Sequence, residues 1–181
     1  VSGQHSDHPY PLLVQMGMKT VMPATPEDAK GLMKAAIRED DPVMIFAPSA
    51  LLANKGPVPE GEYLTPLGKA RIAREGKDIT IVALGPLVPE ALKCAETLAA
   101  EGISAEVIDP RSLLPFDHDS VLRSVRKTGR AVIFDDSNRT CGFAAEVSAI
   151  VADQAWHSLR APVRRITRAD VPVPFSIALD T

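Results

Sequence analysis

The strongest constraint on the fold is a repeating alternation of short apolar runs and amphipathic stretches after Lys77. Asp78-Ile-Thr-Ile-Val-Ala-Leu84 reads as a strand bounded by Gly85-Pro86. Pro89 to Ala100 has Leu92, Ala95, Leu98 and Ala99 at helical spacing, with Gly102 as its stop. Ser104 to Ile108 is the next strand. Asp117 to Lys127 is a helix capped by Asp117 or Asp119, with Val121, Leu122 and Val125 inward. Ala131-Val-Ile-Phe134 is a strand, Phe143 to Leu159 a longer helix with Val147, Ile150, Val151, Ala155 and Trp156 inward, and Val163 to Thr167 a last strand. Strands that alternate with helices in this way need crossover connections, so they pack as a mostly parallel sheet covered by helices.

A second, shorter unit precedes it. Thr20-Val-Met-Pro-Ala24 is a buried strand. Thr25 is an N-cap, Pro26 stands at the first helical position and Asp28 completes a Thr-x-x-Asp capping box. Ala29, Leu32, Met33, Ala36 and Ile37 give one apolar face, Pro42 stops the helix, and Val43-Met-Ile-Phe46 is a second strand. Between the units, Pro48 to Gly76 is rich in Pro and Gly without a period and reads as an extended connection. The expected division is therefore 1–48, a connection over 49–76, and an α/β domain over 77–181.

Composition excludes several classes. Net charge is −3, so a nucleic-acid-binding stripe is not expected, and the arginines at 160, 164, 165 and 168 read as solvated surface. No apolar run approaches a membrane span. Cys94 and Cys141 stand far apart in sequence and support neither a disulfide framework nor a metal cluster. The chain opens on Val1-Ser2-Gly3 with no initiator Met, which reads as a cut inside a larger protein.

Three segments carry candidate chemistry. Gly3-Gln4-His5-Ser6-Asp7-His8 holds two of the four histidines in a loop before the first strand. A histidine there can donate, accept or transfer a proton near neutral pH. His5-x-x-His8 lacks a third metal ligand nearby. The turn Arg38-Glu39-Asp40-Asp41 places negative charge at a helix C-terminus, against the helix dipole. It is either an ordinary surface turn or a place where freed carbonyls and a carboxylate hold a cation. Asp135-Asp136-Ser137 ends a strand, where sites in parallel sheets gather, or it caps a loop. Gly142-Phe-Ala-Ala-Glu146 opens the following helix with small residues suited to close packing. His118 and His157 read as surface residues. Gly85-Pro86-Leu87 has the spacing of neither a dinucleotide loop nor a P-loop, and no Gly-x-Ser-x-Gly elbow is present.

Many of these segments resemble, in order and spacing, the beta subunit of the thiamine-diphosphate-dependent decarboxylating component of 2-oxo acid dehydrogenases (the pyruvate, branched-chain and acetoin group). They are Gly3-Gln-His-Ser6, Met22-Pro-Ala-Thr-Pro-Glu-Asp-Ala-Lys-Gly-Leu-Met-Lys-Ala-Ala-Ile-Arg38, Asp40-Asp-Pro-Val43, Pro66-Leu-Gly-Lys-Ala70, Arg74 to Val82, Glu101 to Arg111, Lys127 to Arg130, Gly142 to Glu146, Ala161-Pro-Val163 and Asp170 to Phe175. The resemblance implies the edge of a pyrimidine-binding domain over 1–48, then a transketolase C-terminal-like α/β domain over 77–181. It implies oxidative decarboxylation of a 2-oxo acid, pyruvate first, with the acyl group passed to lipoyl. It implies an alpha subunit, a second beta subunit and the lipoyl acyltransferase core as partners, in a bacterial cytoplasm or a mitochondrial matrix. Neither nucleic acid nor membrane is an implied partner.

By resemblance, His5 matches the family's active-site histidine, which assists acyl transfer. Ala36, Ile37, Glu39 and Asp41 match its potassium loop. Thiamine diphosphate and Mg are expected in the intact heterotetramer and no cofactor-binding residue in this chain, because the family's catalytic glutamate lies upstream. The sequence departs from the family at Pro9 and Pro11, which disfavour a helix there, at Ala47-Pro48, and at Cys141, where glycine is common. The family's last helix, which contacts the acyltransferase, also has no counterpart here. Two other readings stand beside this one: a docking and dimerisation module without chemistry of its own, and the tail of a transketolase-like enzyme.

Overall fold

A computed structural model describes residues 7–174 and 176. Two sheets organise the described residues. The smaller has order β2-β1-β6 and the larger β3-β5-β4-β7-β8. In chain order the strands are β1 (Lys19–Val21), β2 (Val43–Ile45), β3 (Arg71–Arg74), β4 (Ile79–Ala83), β5 (Ala105–Asp109), β6 (Ser112–Leu114), β7 (Ala131–Asn138) and β8 (Arg164–Arg168). The helices are α1 (Tyr10–Gln15), α2 (Pro26–Ile37), α3 (Leu87–Ala100), α4 (His118–Thr128) and α5 (Phe143–Ala155).

The larger sheet is parallel across β5-β4-β7-β8, and β3 adds an antiparallel edge. β4 and β5 are buried almost throughout, because helices cover the sheet. One apolar cluster joins Tyr10 and Met22 of the first unit to Val82, Leu84, Ile108, Val121, Ile133 and Val147 of the second. The two units therefore share a core.

Local signals place the starts of two helices. Thr25 caps α2 by accepting the Asp28 N–H at 3.1 Å. Asp117 caps α4, accepting the Ser120 N–H at 3.1 Å and the Ala70 N–H at 3.0 Å. Burial favours the neutral Asp117 carboxyl, but these donors hold it below its usual range.

Several expectations need correction. Trp156 is 58% exposed, because α5 ends at Ala155 and a 3-10 turn over Trp156–Ser158 rotates the indole outward. Met33 and Ile37 lie on the outer side of α2, while Leu32, Ala35 and Asp28 face inward. The Asp28 side chain does not reach back to the Thr25 N–H. It accepts from the Thr25 hydroxyl at 2.8 Å and from Arg111 at 2.9 Å. A short helix, α1, forms despite Pro9 and Pro11, because both prolines fall in its first turn, where no backbone N–H is needed.

The connection expected over 49–76 is also more structured than its composition suggests. It contains β3, and its middle lies along α2. There Tyr63 Oη donates to the Glu27 carbonyl at 3.0 Å and Arg38 pairs with Glu62 at 2.6 Å. Lys34 and Arg38 hold the exposed Glu62 carboxyl down at about 2. Finally, β6 follows β5 in sequence but pairs with β1 in the smaller sheet.

Candidate functional site

The two units meet around a cleft of about 500 Å³ at the carboxyl ends of β1, β2, β4 and β7. That is where α/β sheets place ligands. Met22, Phe46, Pro48, Leu84 and Pro86 give it apolar walls, and Asp7, His8, Asp136 and Arg168 give it a polar side.

The polar side is built by pinning the segment before α1 onto the ends of β7 and β8. Tyr10, 1% exposed, donates its hydroxyl to Oδ1 of Asp135. Burial first, then the Asp135 charge, pushes the Tyr10 hydroxyl pKa up, so it stays a donor. Asp135 also accepts the Ser137 N–H at 3.1 Å, the Ser137 hydroxyl at 2.8 Å and the Ala144 N–H at 2.7 Å. The last bond caps α5, whose N-cap residue Gly142 has no side chain of its own. Gly142 is required by closeness rather than by φ. A Cβ there would overlap the Asn138 carbonyl oxygen and the Ser137 hydroxyl.

Above this anchor, His8 Nε2 lies 3.5 Å from the Asp136 carboxylate. Arg168 donates to Asp7 at 3.0 Å and lies 3.9 Å from Asp136. The His8 backbone N–H and the Arg168 guanidinium hold the Asp7 carboxyl below its usual range. His8 Nδ1 is buried without a hydrogen-bond partner among the described residues.

Asp136 is thus brought together with His8, whereas Asp135 is structural. His5 lies outside the described residues. Arg168 and Tyr10 were missed by sequence reasoning. Arg168 read as solvated surface, although its place at the carboxyl end of the last strand was a usable signal. Cys141 adopts a left-handed conformation, φ 59°, which gives a physical reason for the glycine common there. His118 is not isolated; its ring packs edge-on against Phe116, with centroids 5.4 Å apart.

The acidic turn lies away from the cleft. Glu39 and Asp41 both converge on the Lys19 ammonium, at 2.5 and 2.9 Å, and these partners raise its pKa to about 12. The Ala36 carbonyl accepts the Glu39 N–H at 3.3 Å. Among the described residues no group of three or more His, Cys, Asp or Glu could hold a metal ion. The cleft offers a wall for a flat ring, but its one arginine is engaged by Asp7 and Asp136. The described residues therefore do not fit the diphosphate and Mg end of thiamine diphosphate. No helix is long and apolar enough to cross a membrane.

Fold and cleft define a transketolase-type C-terminal α/β domain joined to a second, smaller α/β unit. The profile of the transketolase C-terminal domain matches residues 68–180, and the chain belongs to that family. Along its length, more particularly, it is similar to beta subunits of acetoin, pyruvate and 2-oxoisovalerate dehydrogenating enzymes. It is 47% identical over 180 residues to the beta subunit of acetoin:2,6-dichlorophenolindophenol oxidoreductase of Bacillus subtilis, covering 99% of this chain and 53% of that protein. It is 45% identical over 176 residues to the pyruvate dehydrogenase E1 beta subunit of the same organism, covering 96% and 54%. The 2-oxoisovalerate dehydrogenase beta subunit from that source is 40% identical, covering 92% and 51%. A solved structure described as a split-gene transketolase, an inactive beta4 tetramer, superposes with a TM-score of 0.70 at 29% identity, covering 90% of this chain and 51% of that one. The chain thus spans about half the length of the curated relatives it matches.

Proposed function

We propose that this chain serves in a thiamine-diphosphate-dependent decarboxylating component that oxidises a 2-oxo acid, pyruvate first, and passes the acyl group to lipoyl on an acyltransferase core. The observation that carries this reading is the 45% identity to a pyruvate dehydrogenase beta subunit across nearly the whole chain. Thiamine diphosphate, when bound, supplies the carbanion chemistry, and the intact assembly with an alpha subunit and a second beta subunit would hold it and its Mg ion. The chain's own contribution is the cleft wall and the histidine-bearing segment. His5, three residues before His8 in sequence, would assist acyl transfer, and Tyr10 with Asp135 would fix the segment that carries His8. Ala36, Ile37, Glu39 and Asp41 would line a potassium loop, with Lys19 already supplying one positive charge to the two carboxylates.

Acetoin as substrate is the second reading, because the acetoin oxidoreductase subunit is matched at 47% identity. The discriminating experiment is reduction of an artificial electron acceptor by the assembled alpha–beta enzyme, supplied in turn with pyruvate, a branched-chain 2-oxo acid and acetoin. The chain alone is expected to turn over none of them. Turnover by the chain alone would sink the view that its site is completed by other polypeptide. Silence of the assembled enzyme on all three would sink the function.

A further inference from the structure

The end of the larger sheet opposite the cleft carries a group of arginines. Arg126 on α4, Arg130 before β7, Arg160 after the 3-10 turn and Arg164 at the start of β8 are all exposed. Among the described residues none of the four pairs with a carboxylate. Two of them bond backbone carbonyls instead: Arg126 donates to Gln154 at 3.0 Å and Arg130 to Asp78 at 3.3 Å. Arg160 bonds the Gly129 carbonyl through its N–H at 2.8 Å and lays its side chain across Gly129.

Acids also stand near this end of the domain. The Asp78 carboxylate accepts the Ser104 N–H at 2.8 Å, and Lys127 holds Glu75 and Glu106. Asp153 lies exposed on α5. Charged residues can protect a sheet edge from pairing. That accounts for Arg164, but the other three are not on the edge strand. Trp156 and Ile166, 58% and 55% exposed, also do not suit a merely solvated face. Trp156 stacks on His157 with centroids 3.5 Å apart, two residues after Gln154, whose carbonyl Arg126 engages. Clustered Arg around an exposed Trp is the composition of interface hot spots. These arginines stand together in a chain whose net charge is −3.

We propose that this end of the domain docks an acidic, amphipathic segment of a partner polypeptide. Its carboxylates meet Arg126, Arg130, Arg160 and Arg164, and one of its apolar side chains seats on Trp156. Charge complementarity selects the partner's sign, and the exposed indole selects a partner with an apolar row rather than a uniformly charged polymer.

Trp156 is the chain's single tryptophan, so its fluorescence reports directly on this surface. The probe is a synthetic amphipathic helix with Glu flanking a Leu row. It is compared with the same helix carrying Lys for Glu and with single-stranded DNA. Expected is a saturable change in Trp156 emission with the acidic helix, weakened by salt. Arg130→Glu with Arg164→Glu should weaken binding about tenfold or more, and Arg130→Gln with Arg164→Gln should act in the same direction. Lys55→Glu with Lys93→Glu makes the same change in net charge elsewhere and should have little effect. No saturable change, equal loss in both charge-reversed pairs, or tighter binding of single-stranded DNA would each overturn the proposal.

Discussion

The Tyr10 hydroxyl and the Asp135 carboxylate, 125 residues apart in sequence, are hydrogen-bonded in the buried floor of the cleft. The same carboxylate caps α5 through Ala144, so one side chain joins the histidine-bearing segment to the larger sheet. Tyr10→Phe removes one donor and leaves the other three on Asp135. We expect a loss of about 1–2 kcal/mol, as for a buried bond to a charged group. We also expect faster amide exchange over residues 8–15 than over α5. Uniform change in exchange, or none, would show that Tyr10 is not the anchor.

Two neighbours should respond with opposite signs. Cys141→Gly relieves a left-handed residue and should stabilise by about 1 kcal/mol. Gly142→Ala forces a methyl against the Asn138 carbonyl oxygen and should destabilise by about 2 kcal/mol or more. Urea unfolding of the two variants checks the pair, and the same sign for both would refute the local geometry.

Asp109 gives a pH signature. It is fully buried, and desolvation lifts its carboxyl to about 6 from 3.8 although Arg71 opposes the shift. An acid with a raised folded pKa penalises the folded state once it ionises. The penalty is absent below about pH 4, grows as pH rises through the window from 3.8 to about 6, and is constant above it. That gap corresponds to on the order of 3 kcal/mol. Asp109→Asn should therefore flatten the stability–pH profile between pH 4 and 6, measured by denaturant midpoints. An unchanged slope would mean that another group dominates there.

Lys19 occupies the acidic turn proposed above as a potassium loop, so its removal tests that proposal. With Lys19 in place, the melting temperature should change little when potassium replaces tetramethylammonium. Lys19→Met should lower it in tetramethylammonium, and potassium should restore part of the loss. A variant indifferent to potassium would remove Glu39 and Asp41 from any cation site.

Legibility from sequence followed the range of the interactions. Thr25 and Asp117 announced their helices because a cap reads only the next few N–H groups. The strands of the parallel sheet were legible because burial on both faces leaves continuous apolar runs. Trp156 was misplaced because helical periodicity was extended past Ala155, where α5 had already stopped. β3, with Arg71 and Arg74 in its pattern, hid among polar residues because an antiparallel edge strand need not be apolar. In the cleft, Asp136 and the His8 segment were each visible as odd loops, but their pairing depends on Tyr10 meeting Asp135 across the whole fold. No local rule reaches that far.

The strand β6 sits late in the chain yet completes the sheet begun by β1. Its position makes the two units interlocked rather than serial. A protease that nicks the exposed stretch near Lys55 should leave two pieces that copurify, because β6 on one piece zips to β1 on the other, and Arg111 beside it clasps Asp28. Separating the units at that stretch, as a linear domain map invites, would unravel the smaller sheet rather than free a module.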